Sequence, residues 1–137
     1  FTESGIEFVG QEEITQCLNI NLNATYTKLD EDLSLRIPEI KINTRVDYEL
    51  TDTTLLSLAY QYNDDREDSV FNSTTFTNDI VNLDSCGLLD VYVSHKGRSN
   101  KRTLFANITN IFNEEYPELF GFSTKGRGVN LGFNLNL

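Results

Sequence analysis

The sequence predicts an all-β chain, an antiparallel up-and-down meander of about seven long strands. Apolar and polar residues alternate with a period of two over seven stretches, as in strands with one apolar and one polar face. No stretch keeps a 3.6-residue period over three turns, so long helices are not expected. The connections between the stretches alternate in length, and in a meander every second connection lies at the same edge of the sheet.

The seven stretches are 5–9, 17–27, 39–50, 54–62, 80–95, 103–112 and 128–137. Several exceed the five or six residues typical of strands in soluble sheets, and about 9–11 residues let a tilted strand cross a bilayer. In the first six stretches, the apolar residues that share a face are Ile6 and Phe8; Leu18, Ile20, Leu22, Ala24 and Tyr26; Ile40, Ile42, Val46, Tyr48 and Leu50; Leu56, Leu58, Tyr60 and Tyr62; Val81, Leu83, Leu89, Val91 and Val93; Leu104, Ala106 and Ile108.

The last stretch has the most regular alternation. Its apolar face consists of Val129, Leu131, Phe133, Leu135 and Leu137, with Asn or Gly at every position between them. In outer-membrane β-barrels such a strand turns its apolar face to lipid and its polar face to a hydrated lumen. We therefore expect these five residues to face lipid.

The charges of stretch 39–50 also favour a hydrated interior. Lys41, Arg45, Asp47 and Glu49 share one face of this stretch. In a dry core each of these charges would be costly unless it was paired. The alternative is an ordinary antiparallel sheet with one solvated face.

The connections sort by length and by charge. The short connections lie near 10–13, 50–53 and 96–102, and the long ones near 28–37, 63–79 and 113–127. The long connections hold 11 of the 21 acidic residues. Short turns at one rim and long loops at the other are typical of outer-membrane barrels.

The composition excludes several classes of function. The net charge of −10 argues against nucleic-acid binding, which needs a basic surface. Two Cys and one His leave little for metal or redox chemistry, and we predict no metal site and no cofactor. No window of about 18 apolar residues is present, which excludes a transmembrane helix. Because the chain begins at Phe1 without a signal peptide, we expect a fragment of a longer precursor.

The last long connection carries the candidate ligand-binding residues. Tyr116, Phe120 and Phe122 could stack on a ligand, or they could pack the loop on itself. Arg127 could contact the ligand or anchor a carboxylate of the loop.

The acidic run, the histidine and the two cysteines predict no calcium site, no catalysis and no disulfide. The acidic run 63–68 lacks the Gly at position six and the Glu at position twelve of an EF-hand calcium loop, since Ser69 and Thr75 occupy these positions. A solvated loop tip is therefore expected. His95 has no nucleophile or base partner, and no catalytic arrangement is present, so an enzyme is not expected. Cys17 and Cys86 fall on strands three apart, about 14 Å laterally, which predicts two free thiols.

Particular motifs resemble a known family. Residues 107–116 read Asn-Ile-Thr-Asn-Ile-Phe-Asn-Glu-Glu-Tyr and residues 121–127 read Gly-Phe-Ser-Thr-Lys-Gly-Arg, followed by the terminal strand. This order resembles the C-terminus of TonB-dependent outer-membrane receptors, with Asn-Leu-Phe-Asp-x-x-Tyr, a Gly-Tyr/Phe pair, a Gly-Arg pair and a closing strand. The sequence of residues 121–127 is most similar to that of the vitamin B12 and siderophore receptors. Two departures are Leu137, where the family usually has Phe, and Asn113, where it commonly has Asp.

The resemblance implies that residues 1–137 are the C-terminal part of a receptor barrel, the last seven strands of a 22-stranded transmembrane barrel. An N-terminal region, absent here, would supply the plug, the TonB-binding segment and the other strands, and the isolated piece would form a curved open sheet. The implied function is energy-coupled import of a corrinoid or a ferric siderophore across the outer membrane of a Gram-negative bacterium. The implied partners are outer-membrane lipid, the TonB complex, the small-molecule ligand and the barrel-assembly machinery.

Two other classes of function stay open at this point. One is a passive barrel, either porin-like or a secretion pore. The other is a soluble β-sandwich that acts as a binding module.

Overall fold

The computed structural model describes residues 4–28, 35–99 and 101–135, and its regular structure is entirely β. The strands are β1 Ser4–Thr15, β2 Leu18–Lys28, β3 Ile40–Thr51, β4 Thr54–Asn63, β5 Arg66–Asn72, β6 Thr77–Leu83, β7 Cys86–Lys96, β8 Arg102–Thr109 and β9 Gly128–Leu135. Within these residues no helix is long and apolar enough to cross a membrane.

Seven of the strands form one antiparallel sheet in the order β1-β2-β3-β4-β7-β8-β9, while β5 and β6 pair with each other as a separate hairpin. The sheet is open, because β1 and β9 are its two edges. The predicted all-β meander is therefore confirmed, and its seven strands are those of the main sheet.

The register brings the alternations of all seven strands into phase. Residues directly opposite one another in an antiparallel pair project from the same face. One row across the sheet is apolar: Leu18, Tyr48, Leu56, Val93, Ala106 and Leu131. The neighbouring row, on the other face, is mostly polar: Asn19, Asp47, Ser57, Tyr92, Asn107 and Asn130.

The apolar face is exposed rather than packed. Leu104 is 62% exposed, Leu131 78% and Phe133 66%. The charged or titratable side chains of this face (Tyr aside) lie within four residues of a strand end; they are Glu12, Lys28, His95 and Arg102. A continuous apolar surface of this extent needs a partner or a lipid environment.

The connections keep the predicted alternation of lengths. The short turns are 16–17, 52–53 and 97–101, and the long connections are 29–39, 64–85 and 110–127. We call the edge with the long connections the long-loop rim and the opposite edge the short-turn rim. Four of the five most buried residues, Leu83, Cys86, Asp68 and Asn110, belong to segments at the long-loop rim, so the closest packing is there.

Three of the predicted boundaries are wrong. The segment 63–79, expected to be an irregular loop, contains the hairpin, and the predicted strand 80–95 is divided between β6 and β7 by Asp84 and Ser85. The alternations of β6 and β7 happen to be in phase, so a period of two does not reveal the break. β1 also continues to Thr15, which places Cys17 in the following turn.

An aromatic cluster explains one glycine on the polar face. Tyr92 stacks on Phe105, with ring centroids 6.2 Å apart, and Phe105 lies opposite Gly132 in the register. A Cβ atom at Gly132 would overlap the Phe105 ring. The absence of a side chain at Gly132 therefore lets the Phe105 ring lie flat over β9.

Candidate functional site

The polar face of the sheet is hollowed. One hollow of about 390 Å³ is lined mainly by residues of this face, among them Asn21, Asn43, Arg45, Gln61 and Asp90. A second, of about 470 Å³, is lined by Arg45, Ser57, Ala59, Asp90, Tyr92 and Asn107. The concave, amide-rich side of the sheet is therefore opposite the exposed apolar side.

A small polar network occupies the middle of this face. Arg45 Nε lies 3.0 Å from both carboxylate oxygens of Asp47, and Ser57 Oγ donates a hydrogen bond to Asp47 Oδ1. Two of the charges that the sequence places on β3 thus neutralise each other. The pair remains partly exposed, so it is accessible to water on the polar face.

At the long-loop rim, one carboxylate joins three segments of chain. Asp68 of β5 is 2% exposed. Its Oδ1 accepts hydrogen bonds from Arg36 Nε at 2.6 Å and from the Ser69 backbone N–H at 2.8 Å. Its Oδ2 accepts one from the Phe120 backbone N–H at 3.0 Å. We call Asp68, Arg36 and Phe120 the Asp68 clamp.

The clamp stabilises the ionised form of Asp68. The Phe120 N–H, with the Arg36 guanidinium next, holds the pKa of the Asp68 carboxyl below its usual value, against the opposing effect of burial. The prediction that the acidic run 63–68 is a solvated loop tip is therefore wrong for Asp68. The alternation of β5 was not recognised in the sequence because the buried position of this strand holds the Asp68 carboxylate instead of an apolar side chain.

Two further hydrogen bonds support the clamp. The Arg36 backbone N–H donates to the Glu67 carbonyl oxygen at 2.7 Å, and Arg36 itself has a left-handed backbone with φ of 68°. Arg66 Nη2 donates to the Pro117 carbonyl oxygen at 3.0 Å. Strand β5 is thereby bonded to both other long connections.

Two asparagines shape the start of the last long connection. Asn110 directly follows β8 and has φ of 49°. Its side chain accepts a hydrogen bond from the Glu114 N–H and donates one to the Glu114 carbonyl. Its own N–H donates to Asp90 Oδ1 at 2.8 Å. Asn113, with φ of 56°, accepts a hydrogen bond from the Arg127 N–H at 2.9 Å.

Sequence reasoning did not assign a role to these asparagines. Their signal was the amide residue type, because Asn adopts the left-handed backbone more readily than other non-glycine residues. Asn113 joins the two ends of the connection, because its neutral side-chain amide accepts the hydrogen bond from the Arg127 N–H.

The predicted ligand-binding residues are only partly gathered. Tyr116 and Phe122 line a cleft of about 520 Å³ within the last long connection, together with Glu114, Glu115 and Thr124 among others. Burial, with Glu118 next, raises the pKa of the Tyr116 hydroxyl. Thr124 Oγ1 donates a hydrogen bond to the Tyr116 carbonyl, which joins two of the residues that line the cleft.

Phe120 and Arg127 lie outside the lining of this cleft. The Phe120 side chain is 49% exposed, and its backbone belongs to the Asp68 clamp. The Arg127 guanidinium is exposed and forms no ion pair with the described carboxylates. The contact that the sequence suggested between Arg127 and a loop carboxylate is therefore not seen among the described residues.

The predicted lipid-facing residues share one exposed face. Val129, Leu131, Phe133 and Leu135 all belong to β9 and are 55–78% exposed, and Leu137 lies outside the described residues. No second sheet covers them in the described part of the chain. Cys17 and Cys86 are free thiols, as predicted; Cys17 lies in the turn before β2, and Cys86 begins β7, three strands from β2 in the sheet.

No family model matches the sequence. Solved structures do match. One is the ferripyoverdine receptor of the outer membrane of Pseudomonas aeruginosa bound to ferripyoverdine, with a TM-score of 0.85 and 14% identity over 97% of this chain and 19% of that chain. Two others are the ferric-catecholate import receptor Fiu of E. coli K12, with TM-score 0.80 and 16% identity over 97% and 20%, and the siderophore receptor PirA of Acinetobacter baumannii, with TM-score 0.79 and 15% identity over 96% and 21%.

These matches show the fold. The chain spans about a fifth of the length of the receptors that it matches. Its meander is that of a stretch of a siderophore-receptor barrel, which confirms, for the fold, the resemblance to TonB-dependent outer-membrane receptors. Two of the matching proteins are an import receptor for ferric catecholates and a siderophore receptor.

Proposed function

We propose that residues 1–137 form the C-terminal part of the barrel wall of a TonB-dependent outer-membrane receptor that imports a small ligand. In this proposal the apolar face contacts outer-membrane lipid and the polar face lines the lumen around a plug supplied by the N-terminal region. The long-loop rim faces the outside of the cell and the short-turn rim faces the periplasm. The TonB complex would act through the N-terminal region, and the barrel-assembly machinery would insert the protein.

The observation that carries this proposal is the pair of continuous faces in a single sheet. A soluble sandwich would cover its apolar face with a second sheet, whereas the apolar residues of β9 are 55–78% exposed. Charged side chains on this face are confined to the strand ends, as expected for a band that contacts hydrocarbon. A passive barrel would share these faces, so the preference for a receptor comes from the likeness to receptor structures.

We propose an iron chelate, and specifically a ferric siderophore, as the ligand in preference to a corrinoid. The structures of similar fold include a receptor bound to ferripyoverdine and an import receptor for ferric catecholates. The cleft between Tyr116 and Phe122 is the candidate contact of this chain with the ligand, since aromatic walls with a few polar groups suit small-molecule binding. Phe120 and Arg127 are candidates for the same surface at the outer rim.

The test is uptake by intact cells of the bacterium that makes this protein. Cells lacking the gene should lose uptake of ⁵⁵Fe from at least one chelate in a panel of ferric hydroxamates, catecholates and pyoverdines, and the full-length gene should restore it. Removal of TonB should abolish the restored uptake. Uptake that persists without TonB would indicate a passive channel, and loss of labelled cobalamin uptake alone would indicate a corrinoid receptor.

A further inference from the structure

We infer that Asp68 is a positioning residue for the cleft in the last long connection, holding its walls in place without lining it. This inference rests on the proposed function, in which that cleft contacts the ligand. The lining of the cleft does not include Asp68, so any effect of this residue on ligand binding must pass through its hydrogen bonds.

Asp68 holds the segment between the two aromatic walls of the cleft. Tyr116 and Phe122 line the cleft, and the backbone between them contains both points held by β5. These points are the Phe120 N–H, bonded to Asp68 Oδ2 at 3.0 Å, and the Pro117 carbonyl, bonded to Arg66 at 3.0 Å. Releasing this segment would let the walls separate.

The Asp68 carboxylate is itself held in place. Its other oxygen is bonded to Arg36 and to the Ser69 N–H, and the group is almost fully buried. A charge buried to this degree is retained only where charged or backbone donors satisfy it. A buried carboxylate that serves two segments outside its own strand is therefore suited to set their relative position.

The contacts of Asp68 show that it does not support only its own hairpin. One of the bonds, from Ser69, is local to β5, while the bonds from Arg36 and Phe120 span 32 and 52 residues of sequence. Loss of Asp68 should thus loosen the last connection and leave the strands of the main sheet intact.

The experiment uses the full-length receptor in isolated outer membranes, where trypsin reaches both rims. Cleavage after Lys125 and Arg127 reports the last connection, and cleavage after Arg98 and Lys101 reports the short-turn rim. Asp68→Ala should speed cleavage in the last connection by about tenfold or more, as expected when hydrogen bonds to a charged group are lost, with cleavage at the short-turn rim unchanged.

Two variants make this result specific. Asp68→Asn keeps an oxygen for the Phe120 N–H but loses the charge, so its cleavage rate should lie between those of Asp68→Ala and the wild type. It also has almost the same shape, and so serves if Asp68→Ala fails to assemble. Asp65→Ala removes an exposed acid three residues before Asp68 in the same connection, and this variant should be cleaved at the wild-type rate.

Uptake of ⁵⁵Fe from the chelate that serves the wild type separates this inference from the proposed function. Asp68→Ala should raise the half-saturating concentration and leave the maximal rate unchanged, as Tyr116→Ala and Phe122→Ala should. If only the aromatic variants lose affinity, or if Asp68→Ala is cleaved like the wild type, Asp68 does not position the cleft. If the aromatic variants bind normally while Asp68→Ala is cleaved faster, the proposed ligand contact is wrong and the positioning of the loop stands.

Discussion

Single polar residues at the long-loop rim are buried and hold the loops together, and no periodic pattern in the sequence predicts this role. Asp68 and Asn110 are among the most buried residues of the described chain, at 2% and 5% exposure, and both are polar. Their burial is tolerable because their side-chain groups are hydrogen-bonded to the long connections, and the Asn110 N–H is hydrogen-bonded to Asp90 of β7. An amide or a carboxylate in a loop reads in sequence as solvated, so such residues become visible only once their distant partners are placed.

Replacing Asn110 should separate its two roles. Asn110→Gly keeps the left-handed backbone and loses the side-chain bonds to Glu114, which should lower the free energy of unfolding by about 1–2 kcal/mol. Asn110→Ala should cost about 1 kcal/mol more, because alanine resists a positive φ. Urea unfolding of the purified full-length receptor measures both, with Asn134→Ala on the exposed polar face of β9 as a near-neutral control. Equal losses for glycine and alanine would contradict the backbone role.

The depressed pKa of Asp68 predicts how the clamp depends on pH. A carboxyl group whose pKa is lower in the folded state stabilises that state above its unfolded value of about 4, and this stabilisation disappears as the pH falls through the folded value. Hydrogen-exchange protection of the amides of residues 118–122 should therefore be constant from about pH 7 to pH 5 and fall only below about pH 4.

The Asp68→Asn variant is the control for this pH dependence. Since its amide does not titrate, its protection in the same segment should be lower than that of the wild type at neutral pH and should show no added loss in acid. Loss of wild-type protection near pH 6 would mean that a different group holds the loop.

At the scale of elements, alternation predicted the main sheet and failed at the hairpin. The strands β2, β3, β4, β8 and β9 follow the predicted stretches because each has one apolar and one polar face. The hairpin has a carboxylate at its inward position, and β6 continues the phase of β7, so the pattern gave no boundary between them. Only the aromatic residues of the cleft were predicted from the sequence, because the conformation of a long irregular connection cannot be derived from residue spacing.

The contact between β8 and β9 provides a second test at this scale. Gly132→Ala should lower the free energy of unfolding by about 1 kcal/mol, because the new methyl group would displace Phe105 from its stack on Tyr92. In a Phe105→Leu background the same substitution should cost less. A double-mutant cycle of urea unfolding measures the coupling, and independent, additive effects would contradict the packing of Phe105 over Gly132.

For the molecule as a whole, the central claim is that one face of a single curved wall contacts hydrocarbon while the other contacts water. The seven strands agree in phase across the entire sheet, although no single strand requires it. This agreement explains why an acidic chain with a mean hydropathy of −0.35 can be proposed as part of a membrane wall. The two open edges, β1 and β9, must be paired by other strands for the wall to be stable in lipid.

The most direct measurement of this claim is site-directed spin labelling of residues 129–135, one position at a time, in the full-length receptor reconstituted in bilayers. Labels at 129, 131, 133 and 135 should collide mainly with oxygen, which dissolves in hydrocarbon. Labels at 130 and 134 should collide mainly with a water-soluble nickel chelate; position 132 is omitted, because a side chain there would overlap the Phe105 ring. A period of two with this phase is the result we predict; labels at 131 and 133 that neither reagent reaches, as in a dry protein core, would contradict the account.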